Sequence, residues 1–331
     1  MSSTFQALVV RVSDDENYTR AIEERSIDDL PQGEVLIRVH YSSLNYKDGL
    51  SCIGNRGVTR HYPHTPGIDA AGVVETSDSS EFKAGDPVVI TSYDLGMNTA
   101  GGFGQFIRVP ADWVMSLPEG LSLRESMIYG TAGYTAGLSV DVLQRQGVNP
   151  EKGPIVVTGA TGGVGSVSVA LLAGRGYSVS ASTGKPDAED FLKELGALEV
   201  IGRDAVNDKY DKPLLKETWA GAIDTVGGTT LATLLKACKE GGAVAATGMV
   251  ASTDLSTTVF PFILRGVSLL GINSQGTTMS FRRGIWSRLA EEWKPAGLER
   301  LAVDRGLEQL DPEIDRILAG GQRGRIVVDM Q

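Results

Sequence analysis

The chain has 331 residues, 41% of them hydrophobic and 22% charged, with a formal net charge of −10 at pH 7. That length suits two domains, each able to bury a core, and the net negative field excludes attraction to a polyanion, so no nucleic-acid partner is expected. Met1 to Asp14 carries no basic segment followed by an apolar run, and nowhere do about 18 apolar residues follow one another, which predicts a cytoplasmic protein with no export signal and no membrane span.

From Gln6 to about Arg124 the text is strand-like: Gln6 to Val12, Glu34 to Tyr41, Gly72 to Glu75, Pro87 to Ser92 and Gly104 to Val109, separated by Gly, Pro and Asp turns. This half reads as a mostly antiparallel β domain. After Ser126 short apolar runs alternate with helical segments. The runs are Ile155 to Thr158, Ser178 to Ser182, Ala222 to Asp224 and Ala243 to Gly248; the helices are Val164 to Gly174, Ala188 to Leu195 and Thr230 to Lys239. Such alternation predicts a parallel sheet with helices on both faces. The tail offers helices over Phe281 to Trp293 and around Pro312 to Leu318, then a strand Arg325 to Met330. Because the alternating unit ends near Ser274, that last strand is expected to rejoin the N-terminal domain.

Cys52 and Cys238 are the only cysteines and stand far apart, too few for a disulfide framework or a four-thiolate zinc site; two buried apolar thiols are expected. His40, His61 and His64 are the only histidines. His61 and His64 lack cysteine or carboxylate neighbours at zinc-ligand spacing, so no metal is expected and surface or turn roles suit them.

Residues 155 to 165 read IVVTGATGGVG, followed by small and apolar residues from Ser166 to Leu172. A strand, a glycine-dense turn and a helix, in that order, present unpaired backbone N–H groups and a positive helix end to a dinucleotide pyrophosphate, and residues without side chains let it approach. Gly162, Gly163 and Gly165 sit where that approach occurs. The strict G-x-G-x-x-G pattern is not met, since Ser168 follows, so context and not spacing carries the reading. The competing reading is a tight packing turn. About 20 residues on, where an NAD site carries a carboxylate for the ribose hydroxyls, the second strand ends Ser182, Thr183, Gly184, Lys185. A hydroxyl and a lysine there suit the 2′-phosphate of NADPH, with Arg203 as a second candidate cation; a solvated turn with an incidental lysine is the alternative.

Several chemistries are excluded by missing partners. No tyrosine has a lysine four residues later, as a short-chain dehydrogenase requires, and neither a G-x-S-x-G elbow nor a G-x-x-x-x-G-K-[ST] loop occurs.

Seven ordered blocks then carry a resemblance over nearly the whole chain. They are NYKDG (Asn45 to Gly49), PGIDAAG (Pro66 to Gly72), YGTAGYTA (Tyr129 to Ala136), TGATGGVG, ASTGK, WAGAIDTVGG (Trp219 to Gly228) and PFILRGVSLLGINS (Pro261 to Ser274). Together they resemble the zinc-free acryloyl-CoA reductase and quinone-oxidoreductase-like branch of the medium-chain dehydrogenase/reductase superfamily. Zinc-dependent members carry Gly-His-Glu where this chain has Gly67, Ile68 and Asp69. The resemblance implies an α/β protein: a GroES-like, mostly antiparallel β domain over residues 1–124 and 278–331, and a doubly wound parallel Rossmann sheet binding NADPH over residues 125–277. It further implies that Thr161, Gly162, Gly163 and Val164 hold the pyrophosphate and that Thr183, Gly184, Lys185 and Arg203 hold the adenosine phosphate. Tyr46 is implied to reach the nicotinamide, with Thr131, Met249, Ile263 and Ser274 lining the cofactor; read alone, Met249 and Ile263 would be core. Arg325 resembles a substrate-facing arginine, against the plainer reading of a surface ion pair. An edge strand over Val267 to Ile272 is implied to pair with a second subunit, giving a homodimer.

On that resemblance the activity expected is NADPH-dependent reduction of an α,β-unsaturated acyl thioester, an enoyl-CoA with acryloyl-CoA as the smallest case; a quinone or enone is the alternative acceptor, and a non-catalytic NADPH-binding protein a third possibility. Tyr46, Asn45 and Arg325 are the candidate donors to the charge that develops on the carbonyl oxygen, since a phenol is protonated at neutral pH. Lys47 and Asp48 are expected to pair and position their loop.

Overall fold

A computed structural model describes residues 4–208 and 212–331, so the first three residues of the segment read for an export signal lie outside the described residues. The chain divides into two compact units. One comprises Met1–Thr131, Gln275–Ala290 and Leu298–Gln331, the other Ala132–Ser274 and Glu291–Gly297.

In chain order the first unit opens with β1 (Thr4–Val12), β2 (Tyr18–Ser26), β3 (Val35–Ser43), the short helix α1 (Tyr46–Cys52), β4 (Asp69–Ser77), β5 (Pro87–Thr91), β6 (Phe106–Val109) and β7 (Met115–Ser116). The helix α2 (Leu123–Arg145) follows and is broken at Gly130, whose φ of 50° and ψ of −155° no helix contains. The second unit supplies β8 (Ile155–Val157), α3 (Gly163–Gly174), β9 (Val179–Thr183), α4 (Glu189–Glu194), β10 (Glu199–Gly202), β11 (Trp219–Asp224), α5 (Gly228–Ala237), β12 (Cys238–Ala246), α6 (Phe260–Arg265) and β13 (Ser268–Gly271). The tail carries α7 (Met279–Ala290), β14 (Ala302–Gly306), α8 (Leu310–Leu318) and β15 (Arg325–Asp329).

The first unit is built on a sheet of order β14-β15-β3-β4-β5-β7, with β6 on β3, and a separate β1-β2 ribbon. The C-terminal strand β15 pairs antiparallel with β3, so the tail does return to the N-terminal unit. Val35, Ile37 and Val39 alternate inward along β3, as a two-residue period requires, and meet Leu8, Val10, Ile90, Ile107, Leu310 and Ile314 in one core. Strand β2 escapes sequence reading because its residues are half-exposed and charged; it is held by full-length pairing with β1 and a two-pronged Arg11 to Glu23 ion pair at 2.7 Å.

The second unit is a six-stranded parallel sheet of order β10-β9-β8-β11-β12-β13. β8, β9 and β11 are buried throughout, which is why they read as short apolar runs and not as alternating strands. The strand order reverses between β8 and β11. In a doubly wound sheet that reversal opens the crevice in which ligands sit, and the glycine turn follows β8 at this point. Helix α3 is buried from Gly165 to Leu172, matching its unbroken run of small and apolar residues.

The unit boundary falls at Thr131, past the Arg124 and Glu125 junction expected, because the change of pattern near Ser126 marks the start of α2 and the chain crosses over only at the Gly130 break. The return begins at Gln275, and residues 291–297 stay with the second unit, where the Arg175 guanidinium lies 5.5 Å over the Trp293 ring.

Candidate active site

In the second unit the turn between β8 and α3 is shaped so that only glycine fits. A Cβ on Gly165 would stand 2.8 Å from both the Ala160 Cα and the Gly159 carbonyl carbon, and Gly159 itself has φ +56°. Gly162 caps α3 without any side chain, so the first N–H groups of this 12-residue helix, from Gly163 and Val164, lack both intrahelical and side-chain acceptors. Those donors and the helix dipole suit a pyrophosphate. Asp224, at the end of β11, ties the start of the turn to the β11–α5 connection: it accepts from Thr158 Oγ1 at 2.6 Å and from the Gly227 N–H at 2.8 Å. Burial pushes the Asp224 carboxyl up, against the pull of those bonds.

At the ends of the neighbouring strands, Gly202 of β10 is in register with Thr183 of β9. Arg203 therefore emerges beside Gly184, and its guanidinium lies so close that a Cβ there would stand 2.5 Å from Cζ. The Thr183 hydroxyl accepts from the Lys185 N–H at 3.1 Å, closing the turn. No carboxylate stands among Ser182 to Lys185. The group has the composition a phosphate monoester requires.

Met249 and Ile263, which read as core, are 68% and 74% exposed. Met249 follows β12, with its Cα 3.1 Å from where a Cβ of Gly227 would stand, and Ile263 is on the outward face of α6 beside Leu264 at 59%. Apolar side chains left uncovered in this way mark a surface meant for contact. Ser274, half-buried, is the last residue of the unit's first segment.

In the first unit Asn45, Thr131 and Arg325 converge on a residue that sequence reading had noted only as a non-ligand, Asp69. This carboxylate has no exposed surface. It accepts from Ser43 Oγ and Asn45 Nδ2, each at 2.7 Å, from the Thr131 N–H at 2.9 Å and from Thr131 Oγ1 at 2.6 Å. The break at Gly130 leaves the Thr131 N–H without a helical acceptor, and Asp69 takes it.

Two expectations are corrected here. Arg325 is only 2% exposed, so it is neither a surface ion pair nor open to a substrate. Its guanidinium donates to the carbonyls of Ile128 and Leu44, to Asn45 Oδ1 and to Ser43 Oγ, with Asp69 Oδ2 3.8 Å away. Asn45 spends both amide hydrogens on Ser43 O and Asp69, leaving none for a carbonyl oxygen. Of the three candidate donors, Tyr46 alone is open, 42% exposed at the first position of α1.

Asp48 also departs from expectation. It does not pair with Lys47, whose Nζ instead reaches Gln275 Oε1 at 3.4 Å. Buried completely, Asp48 accepts from the N–H groups of Asn45, Gly67 and Ile68. Burial and the nearby Asp69 raise its carboxyl to about 7. His64 is buried rather than superficial, its Nε2 2.9 Å from Gly96 O. Cys52 and Cys238 are both buried free thiols. Among the described residues no three His, Cys, Asp or Glu side chains converge as a metal ion would require, and no helix is long and apolar enough to cross a membrane.

Comparison with known proteins places these features. Family profiles match at residues 31–119 (alcohol dehydrogenase GroES-like domain) and 163–291 (zinc-binding dehydrogenase). The acrylyl-CoA reductase AcuI of Ruegeria pomeroyi is 46% identical over 98% of this chain and 99% of its own. The chain belongs to the medium-chain dehydrogenase/reductase superfamily, in its zinc-free branch. It is an oxidoreductase. Bacillus subtilis YhfP, provisionally named a quinone oxidoreductase, is 47% identical over the full length of both chains. Its crystal structure with NAD bound matches with a TM-score of 0.96 at 46% identity, covering 99% of this chain and 100% of that one. The yhdH oxidoreductase of Salmonella enterica, crystallised with NADP, matches at 0.95 with 41% identity over 98% and 100%. Both members of this pair share the fold described above, yet they were captured with different dinucleotides.

Sequence reading missed Asp69, Ser43, Gly130 and Asp224 as parts of the site. Each lies inside a block that carried the family resemblance, PGIDAAG, YGTAGYTA or WAGAIDTVGG, except Ser43, which only the strand register of β3 could have pointed out.

Proposed function

We propose that this oxidoreductase uses NADPH to reduce the C=C bond of an α,β-unsaturated acyl thioester of the acryloyl-CoA type. The observation that carries the choice of NADPH is the Arg203 guanidinium laid across Gly184 beside Thr183 and Lys185, a phosphate-binding group where an NAD-selective site would hold a carboxylate. Thr161 to Val164 cradle the pyrophosphate; Met249, Ile263, Ser274 and Thr131 line the remainder of the cofactor. Bound there, NADPH supplies the hydride that adds to the β-carbon of the acceptor.

Hydride addition at the β-carbon would shift the C=C pair into a bond between the α-carbon and the carbonyl carbon and the C=O pair onto oxygen as an enolate, and a proton from water or from the Tyr46 hydroxyl would then add at the α-carbon. The chain must stabilise that oxygen with positioned donors, each worth roughly 3 to 4 kcal/mol in a desolvated site. The Tyr46 hydroxyl takes that role, since the donors of Asn45 and Arg325 are already engaged. The name of AcuI favours the thioester; that of YhfP keeps a quinone or enone as the second reading.

Following NADPH oxidation with acryloyl-CoA and, separately, with a soluble quinone tests the assignment. Turnover of acryloyl-CoA with a kcat/KM well above that for the quinone is expected; turnover of the quinone alone overturns the thioester reading, and turnover of neither puts the acceptor outside both classes. We further propose a cytoplasmic homodimer joined by continuation of the parallel sheet across β13, the sheet's edge strand.

A further inference from the structure

We propose that Asp69 is the positioning residue of the reduction: it fixes Asn45, and through it the start of α1 that carries Tyr46, and it fixes the hydroxyl of Thr131. The inference rests on the reading of Tyr46 given above.

A carboxylate can only accept, and this determines the direction of every polar hydrogen around Asp69. The Thr131 hydroxyl must give its hydrogen to Asp69, so the contact of 2.9 Å between Ser92 Oγ and Thr131 Oγ1 is donated by Ser92. Ser43 likewise gives its hydrogen to Asp69 and accepts from Arg325 Nη2. Asn45 has both amide hydrogens on Ser43 O and Asp69, and its oxygen accepts from Arg325. Asp69 thus sets one rotamer and one proton arrangement for the residue that caps α1 and for the residue after the α2 break.

The backbone is built around this carboxylate. A Cβ on Gly130 would stand 2.5 Å from Ser43 Oγ and 3.0 Å from Arg325 Nη2, so the φ of 50° there presses the 130–131 peptide against the network. Stability alone is a poor reason for such a cluster, because buried ion pairs replaced by packed apolar residues of similar volume often cost nothing. Position is a better one. Tyr46 is the first residue of α1, and Asn45 meets Asp69 with its side chain and Asp48 with its N–H, so any shift of the cap moves the phenol. Displacements of about 1 Å at a reacting group cost on the order of 100-fold in rate.

The test replaces Asp69 by Asn, which keeps the volume but brings an NH2 group against a ring of donors. Two quantities are read on the whole protein: steady-state kinetics with NADPH and the acceptor, and the 19F resonance of Tyr46 in 3-fluorotyrosine-labelled enzyme, assigned by its loss in Tyr46→Phe. The expected result is a kcat lower by about 10- to 100-fold with little change in the KM of the acceptor, together with a shifted or split Tyr46 resonance. A kcat within about twofold of the parent, or an unmoved resonance, overturns the proposal. If the parent turns over neither acceptor, the functional reading fails by itself, and the resonance alone decides: moved supports the positioning role, unmoved ends it. Should Asp69→Asn not fold, Thr131→Val and Thr131→Ser take its place. Loss of kcat in the first, restored in the second, supports the proposal, and parental kcat in Thr131→Val overturns it.

Discussion

The guanidinium of Arg203 lies beside Gly184, where a Cβ would stand 2.5 Å from its Cζ, next to the paired ends of two parallel strands. Each charge-assisted bond to a phosphate is worth about 1.5 to 3 kcal/mol, so Lys185→Ala and Arg203→Ala should each raise the NADPH dissociation constant by about 10- to 100-fold. Binding of NADH should change by no more than about twofold, since it lacks the phosphate. Fluorescence titration with both cofactors checks this. Equal losses would remove these cations from the site and align the protein with its NAD-bound relative.

Asp224 makes the opposite prediction. It clamps Thr158 and Gly227 and should have no part in choosing between the two cofactors, because its bonds support the turn proposed to hold the pyrophosphate they share. Asp224→Asn leaves one acceptor oxygen where several donors point, at a cost of about 1 to 3 kcal/mol. NADPH and NADH should weaken together, by a similar factor, with a lower melting temperature. A loss confined to NADPH would show that Asp224 acts on the phosphate end instead.

The glycine turn after β8 and the carboxylate-free end of β9 were legible in the sequence because each is a local stretch of chain. Thr158 to Gly165 and Thr183 to Lys185 are contiguous, and backbone N–H groups need no distant partner. Arg203 joins them through strand register, which the alternation of strand and helix foreshadows. The Asp69 network was not legible: Ser43, Asp69, Gly130 and Arg325 come from β3, β4, the α2 break and β15, joined only by the antiparallel pairing of the first unit. A lone aspartate in Gly67-Ile68-Asp69 looks like a lost zinc motif until those strands are paired. Arg325 misled for a related reason. A Gly-Arg at a strand start looks superficial, and only its neighbours show it buried.

Asp48 should make stability depend on pH in a direction opposite to that of most carboxylates. Its folded-state carboxyl is raised to about 7, above its value in the unfolded chain, so between the two values the folded state holds a proton that the unfolded state has lost. This contribution favours folding at low pH and is lost progressively as pH rises toward 7. Asp48→Asn should flatten the fall in urea midpoint over pH 5 to 7, after allowing about 1 kcal/mol for the weakened cap of α1. An unchanged pH profile would show that Asp48 is already ionised below that range.

The edge strand β13 supplies the last prediction. One side pairs with β12 from Ser268 to Gly271, and the other presents backbone donors and acceptors, with Leu269 of the strand 37% exposed. A monomer with such an edge invites strand addition, and natural edges are blunted by charge, proline or a bulge, none of which β13 has. Continuation of the sheet through a two-fold axis would pair this strand with its copy. Light scattering should therefore give twice the chain mass of 35.1 kDa. Leu269→Lys places a charge on the edge without touching the glycine turn, and should shift the protein toward monomer while leaving NADPH affinity within about twofold. A parent protein of single-chain mass would overturn the pairing. A dimer indifferent to Leu269→Lys would move the interface away from β13.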